Sequence, residues 1–325
     1  MTIGIIGAGA WGTALAESQI RAGNHVVLWS RNQVLVHDIN QNHENTIYLP
    51  GVPLSPKIKA TDNLGDVIDS DIILLTIPAQ QMRSVYTQIA GKITGKLVLC
   101  AKGIEQNTLL LQSEVINAVH PYSELAVLSG PNFAREIVHN LPAATTIASA
   151  QPGLAEFLSH SMSGNHFRIY PEHDVIGVQI GGAVKNVLAI ACGIVMGCRL
   201  GENARAALIA RGLAEMQRLC TAKGGDLRTL MGLSGVGDLV LTCSSTASRN
   251  FSLGVEFAKK DNFAPIAERN TGLAEGEMSA KAVTELAEKL GVEMPICSAV
   301  SNILFKQVDL FSTIERLLSR KVGVY

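Results

Sequence analysis

The amino-acid sequence predicts an α/β fold in two parts, a mostly parallel sheet covered by helices followed by an all-α domain. Three observations carry that expectation. Short β-branched runs alternate with helical stretches through the first half of the chain. A glycine-rich turn follows the first of those runs directly. After about Pro171 the strand texture gives way to apolar residues at helical spacing. A chain of 325 residues is too long for one ordinary core, so two domains are expected, residues 1–175 and residues 176–325.

The elements follow in order. Thr2–Ile6 is an apolar run suited to a buried strand. Val26–Trp29, Asp71–Ile77, Leu97–Ala101, Leu125–Ser129, Ala144–Ser149 and Phe167–Tyr170 share its texture. Gly12–Ala22 reads as the helix between the first two strands, with Gly23 placed where a helix ends on a left-handed residue. In the second domain, Ala204–Lys223 and Gly276–Leu290 carry apolar residues three and four apart.

Val175–Cys198 is almost wholly apolar and long enough to cross a bilayer, with Gly177 and Gly181 in G-x-x-x-G spacing. Gln179, Lys185 and Asn186 near its middle, and the lack of a basic flank, argue instead for a helix buried inside protein. No membrane insertion is expected.

Hydrophobic residues make up 47% of the chain and charged residues 17%, enough for sizeable cores and too little charge for long disordered tails. The 27 basic and 28 acidic residues leave a net charge of −1, so no global field favours nucleic acid, and any anion is held by a local cluster. The six cysteines form no C-x-x-C pair and no zinc-like spacing with histidine, which reads as reduced, buried thiols and no metal. No export signal opens the chain, and a cytoplasmic protein is expected.

Gly7-Ala8-Gly9-Ala10-Trp11-Gly12 stands between a strand and a helix, the context in which G-x-G-x-x-G holds a dinucleotide. Gly7 permits the tight turn, Gly9 lets a pyrophosphate approach the backbone, and Gly12 lets helix and strand pack closely. The helix N-terminus adds free N–H groups and positive dipole. The second strand ends in Trp29-Ser30-Arg31, with no carboxylate for the ribose 2′-hydroxyl of NAD. A guanidinium there suits a 2′-phosphate, so NADP(H) is favoured and NAD(H) stays open.

Lys102 after one predicted strand, and Ser129-Gly130-Pro131-Asn132 after another, fall where open sheets collect ligands. Lys185 is the sharper candidate. It sits inside the apolar segment in Gly181-Gly182-Ala183-Val184-Lys185-Asn186, its stem leaning over two glycines that leave room for a ligand or another backbone. A buried ammonium is costly unless paired, and desolvation favours release of its proton. Asp238 and Thr242, one helical turn apart, could orient that amine. Ser248-Arg249-Asn250 supplies a guanidinium and an amide suited to a phosphate ester.

Taken together, G-A-G-A-W-G, A-K-G-I-E (Ala101–Glu105), S-G-P-N-F-A (Ser129–Ala134), G-G-A-V-K-N-V (Gly181–Val187), G-D-L-V-L-T-C (Gly237–Cys243) and S-R-N resemble the bacterial NAD(P)-dependent sn-glycerol-3-phosphate dehydrogenase family. The resemblance implies an N-terminal Rossmann-like dinucleotide-binding domain and an all-α substrate domain. It implies interconversion of dihydroxyacetone phosphate and sn-glycerol 3-phosphate, a small phosphorylated three-carbon substrate. The apolar helical domain, read from the sequence, leads to the expectation of a homodimer. Lys185 would be the general acid/base and Lys102 would touch both substrate and cofactor. Asp238, Asn186, Thr242, Gly130 and Asn132 would line the substrate. Ser248, Arg249 and Asn250 would hold its phosphate, with Arg249 also reaching the cofactor. Gly7, Gly9, Ala10, Trp11, Gly12, Arg31, Tyr48, Ala134, Leu273 and Glu275 match cofactor positions. Two positions depart from the pattern, Asn132 where Ser or Thr is usual and Ala10 where Ser is common. Two other functions use the same outline: a two-domain reductase of hydroxy or keto acids, and a nicotinamide sensor without chemistry.

Overall fold

The computed structural model describes residues 1–122, 124–259, 275–306 and 308–319. The chain divides into two compact units, residues 1–101 with 111–178 and residues 102–110 with 179–325. The short stretch from Lys102 to Leu110 therefore folds with the helical unit, although it follows a strand in sequence.

The first unit is built on one eight-stranded sheet. Its strands are β1 (Thr2–Ile6), β2 (His25–Trp29), β3 (Ile58–Thr61), β4 (Ile72–Leu75), β5 (Lys96–Leu99), β6 (Leu125–Ser129), β7 (Ala143–Ala148) and β8 (Phe167–Glu172). The order is β3-β2-β1-β4-β5-β6-β7-β8, parallel throughout except where β6 meets β7. Ile3, Ile5, Ile72, Leu74 and Val98 are fully or almost fully buried on one face, and Ile6, Ile73, Leu75, Leu97 and Leu99 are as buried between them. Cover on both faces is why these strands read as continuous apolar runs. Each such side chain contributes roughly 1.5–3 kcal/mol of burial.

β3 is absent from the predicted strands. Its sequence, Ile-Lys-Ala-Thr, has one strongly apolar residue, and the strand forms because β2 pairs with it in register, Val26 opposite Ile58. Its outer edge is closed by Asn40, whose side chain donates to the Ala60 carbonyl and accepts from the Ala60 N–H, both at 2.9 Å. The predicted strands Asp71–Ile77 and Leu97–Ala101 are shorter in the structure, ending at Leu75 and Leu99. The helix after β1, Ala10–Arg21, closes as expected, with Gly23 at φ 87° and the Asn24 N–H returning to the Gln19 carbonyl at 3.0 Å.

The apolar segment forms the helix Val175–Gly197, most of it buried inside the protein, and from Gln179 onward it belongs to the second unit. Its glycines meet protein. A Cβ on Gly181 would stand 2.3 Å from the Ser234 carbonyl oxygen, and one on Gly193 2.0 Å from that of Phe251. Gly254, on the helix Arg249–Lys259, makes the reciprocal approach to Ile190. The room expected over Gly181 is thus taken by another backbone, and the small residues serve helix packing within the protein.

Candidate active site

The glycine turn joins β1 to the helix Ala10–Arg21 where the strand order reverses, β1 lying between β2 and β4. Open α/β sheets bind ligands at such a point. Each glycine has its own reason. Gly7 has φ 120°, which side-chain-bearing residues rarely adopt. A Cβ on Gly12 would stand 1.9 Å from the Gly7 carbonyl oxygen. Gly9 has an ordinary extended backbone (φ −70°, ψ 178°), and a Cβ there would meet nothing within 4 Å. Neither strain nor packing calls for glycine at position 9. The open space beside it fits the pyrophosphate of a dinucleotide.

The polar groups of the turn divide by type. Its carbonyls are tied back: Ile6 accepts from the Thr76 N–H at 3.0 Å, Gly7 from Thr76 Oγ1 at 2.7 Å, Ala8 from Asn45 Nδ2 at 3.0 Å, and Gly9 from the Thr13 N–H at 3.0 Å. Among the described residues, the N–H groups of Ala8, Gly9, Ala10, Trp11 and Gly12 have no acceptor, and no acidic side chain stands in the first helical turn. That is a donor-only surface at a positive helix end, suited to an anion.

At the end of β2, Ser30 is buried and accepts from the Asn32 N–H at 3.2 Å. Arg31 is exposed and, among the described residues, has no hydrogen-bond or ion-pair partner. Trp11 packs edge-on against Phe167 with ring centroids 6.5 Å apart. Ala10, Trp11 and Ala134 lie half-buried against one core, while Tyr48 is 53% exposed. Gly130 is needed by close strand packing, since a Cβ would stand 2.7 Å from Thr145 Oγ1. Both amide atoms of Asn132 are buried without a partner among the described residues.

The helical unit brings two lysines to one carboxylate. Asp238 and Thr242 share a face of the helix Asp238–Cys243, which a π-helical turn, Leu233–Gly237, leads into. Lys185 Nζ donates to Asp238 Oδ1 at 2.7 Å and to Thr242 Oγ1 at 2.8 Å. Thr242 Oγ1 in turn donates to Asp238 Oδ1 at 3.3 Å. Lys102 Nζ donates to the other oxygen, Asp238 Oδ2, at 2.6 Å. Asp238 is 1% exposed, so one buried carboxylate balances two ammoniums and leaves a surplus positive charge.

Burial alone pushes the Asp238 carboxyl up, but the charges and hydrogen bonds of Lys102 and Lys185 outweigh it and hold the group below the usual carboxylate range. Burial pulls the Lys102 ammonium down to about 8, opposed by Asp238 and reinforced by the charge of Lys185. Half-buried Glu275 is pushed up by desolvation against the pull of Arg249, Lys185 and Lys102.

A pH dependence follows from Lys102. Below about pH 8 its ammonium is charged, and as pH rises through that value the surplus charge beside Asp238 is lost. kcat/KM is expected to fall above about pH 8. In Lys102→Arg, whose guanidinium stays protonated, that fall should move to higher pH. An unmoved profile assigns the fall to another group.

The Ser248-Arg249-Asn250 segment caps a helix. Buried Ser248 accepts from the Phe251 N–H at 3.2 Å, an N-cap bond for Arg249–Lys259. Arg249 is exposed at the positive end of that helix. Asn250 Nδ2 donates to Asn186 Oδ1 at 2.9 Å, and Asn250 Oδ1 accepts from the Gly276 N–H at 3.2 Å. Lys185, Asn186, Asp238, Thr242, Asn250 and Lys102 are thus joined in two short networks of one unit. Leu273 lies outside the described residues. Sequence reasoning does not find Asn45 or Thr76, because neither belongs to a glycine motif. The Pro78 that follows β4 marks a strand end but names no partner.

A donor-only turn at a sheet switch point and a buried lysine held by a carboxylate define a nicotinamide-dependent dehydrogenase of two-unit construction. Models of the N-terminus and C-terminus of NAD-dependent glycerol-3-phosphate dehydrogenase match residues 2–155 and 174–315. The chain belongs to that family. Glycerol-3-phosphate dehydrogenase [NAD(P)+] of Parvibaculum lavamentivorans is 48% identical over 98% of this chain and 96% of its own length. The crystal structure of glycerol-3-phosphate dehydrogenase from Coxiella burnetii superposes with a TM-score of 0.90 at 38% identity, over 98% of this chain and 99% of that one. A ketopantoate reductase from Ralstonia eutropha, at 16% identity and a TM-score of 0.63 over 94% of this chain and 97% of its own, shares the fold alone.

Proposed function

We propose that this chain reduces dihydroxyacetone phosphate to sn-glycerol 3-phosphate and catalyses the reverse oxidation, using NADP(H) or NAD(H). The observation that carries this reading is Lys185 Nζ, buried and held by Asp238 and Thr242 at 2.7 and 2.8 Å. Two of its three ammonium protons are committed to those oxygens, and the third is available to a substrate oxygen. When bound, the nicotinamide supplies or takes up the hydride at C2.

In reduction Lys185 gives its proton to the C2 oxygen as negative charge develops there, and in oxidation it takes that proton back. Asp238 fixes the direction of the amine and balances its charge. Lys102 brings the surplus positive charge to bear on the same oxygen. Arg249 and the N-terminus of its helix hold the phosphate, while Asn250 orients Asn186 beside Lys185. Binding at the phosphate, remote from the reacting carbon, restricts the carbonyl to a reactive position.

Steady-state consumption of NADH and NADPH, measured side by side, tests the reading. Turnover is expected with dihydroxyacetone phosphate and not with ketopantoate; the reverse preference would overturn it. Arg31→Ala is expected to raise the KM for NADPH about tenfold, the scale of one charge-assisted hydrogen bond, and to leave that for NADH nearly unchanged. An equal change for both would remove Arg31 from 2′-phosphate recognition.

The same reading includes a cytoplasmic homodimer. All six cysteines are free thiols, as a reducing compartment requires. The helix Leu310–Leu318 leaves Phe311 66% and Leu318 80% exposed, apolar surface of the kind a second copy covers.

A further inference from the structure

We infer that Thr76 and Asn45 are positioning residues for the cofactor's pyrophosphate, acting by fixing which way the peptide groups of the glycine turn face. The inference rests on the cofactor reading above. A trans peptide group is planar, with its C=O and N–H pointing in opposite directions. Fixing the carbonyl of one residue therefore fixes the N–H of the next.

Thr76, immediately after β4, donates its hydroxyl to the Gly7 carbonyl at 2.7 Å, and this turns the Ala8 N–H the other way. Asn45, from the loop after the helix Gln33–Asn42, donates Nδ2 to the Ala8 carbonyl at 3.0 Å and so turns the Gly9 N–H outward. Ala8 and Gly9 are the first two of the N–H groups without an acceptor, and they lack the helical bonding that would orient them unaided.

Both pins are themselves held. Asn45 is fully buried, also donates to Thr13 Oγ1 at 2.7 Å, and accepts from the Tyr48 N–H at 3.0 Å. The Thr76 N–H bonds the Ile6 carbonyl at 3.0 Å, and its hydroxyl occupies the space that a Cβ on Gly7 or Gly12 would need, at 2.9 and 2.6 Å. The two residues come from different loops on either side of β1, so the turn is gripped from both sides of the switch point. Without the pins the turn can rotate a carbonyl toward the phosphates, where it repels them.

Binding of four probes to the intact protein, followed by fluorescence or calorimetry, tests this: NADPH, NADH, ADP-ribose, which keeps the pyrophosphate, and adenosine 2′-monophosphate, which lacks it. Thr76→Val, close in shape but without the hydroxyl, should weaken NADPH, NADH and ADP-ribose about tenfold and leave adenosine 2′-monophosphate within twofold. Thr76→Ser, which restores the donor, should recover the loss. Asn45→Leu removes the other pin, carries the same expectation and decides the question independently. Wild-type affinity for ADP-ribose in both variants overturns the inference, as does a parallel loss of all four probes, which marks general damage. Failure of the wild-type protein to bind either nicotinamide cofactor would instead sink the cofactor reading on which the inference stands.

Discussion

Lys185→Ala is expected to lower turnover by roughly 10²-fold or more, the scale on which a positioned acid–base group contributes. The effect is large because no neighbour can take over. Thr242 has no proton acidic enough, and Asp238 is held as a carboxylate by the surrounding ammoniums. Lys102 bonds the opposite oxygen of that carboxylate, so its amine is directed from another side. The loss should fall on kcat rather than on cofactor affinity, since the donor-only turn belongs to the other compact unit. Rates at saturating substrate, with NADPH binding measured alongside, check this. Near-normal turnover would remove Lys185 from proton transfer.

Asp238→Asn is expected to destabilise the protein strongly. The substitution keeps the shape and removes the buried carboxylate that is ion-paired with both Lys102 and Lys185. Breaking a buried ion pair from one side costs about 3–5 kcal/mol, because the remaining charge stays buried without compensation. The sign of its pH dependence follows. Lys102 is already drawn down to about 8 with the carboxylate present, and losing the carboxylate draws it lower. Above that value the native variant holds fewer protons than its unfolded chain, so its stability rises with pH. Urea unfolding at pH 7 and pH 9 should show the gap to wild type narrowing at the higher pH. A gap that does not change with pH would mean that charge imbalance is not the cause of the instability.

Much of the sheet is legible in the sequence because buried parallel strands are continuous apolar runs. β1 and β6 coincide with their predicted ranges, Thr2–Ile6 and Leu125–Ser129. β3 is not legible, because its four residues owe their conformation to β2 and Asn40 rather than to their own pattern. The antiparallel pairing of β7 is likewise silent, since a strand's side-chain alternation is the same whichever way its neighbour runs. Lys185 stands out in the sequence because a single charge in a long apolar helix must be paired or exposed. Its pairing with Asp238 is anticipated by the one-turn spacing to Thr242. That Lys102 claims the other oxygen is not.

What the sequence alone determined, then, is whatever depends on local backbone conformation and period: the glycine turn at residue 7, the succession of strands and helices, and an amine embedded in an apolar helix. Tertiary structure decided which groups meet. Lys102 and Asp238 are 136 residues apart and Thr76 and Gly7 are 69 apart, yet each pair touches within 3 Å. A hydrogen bond depends on distance in space, and the packing that brings its two ends together leaves no periodic mark on the chain.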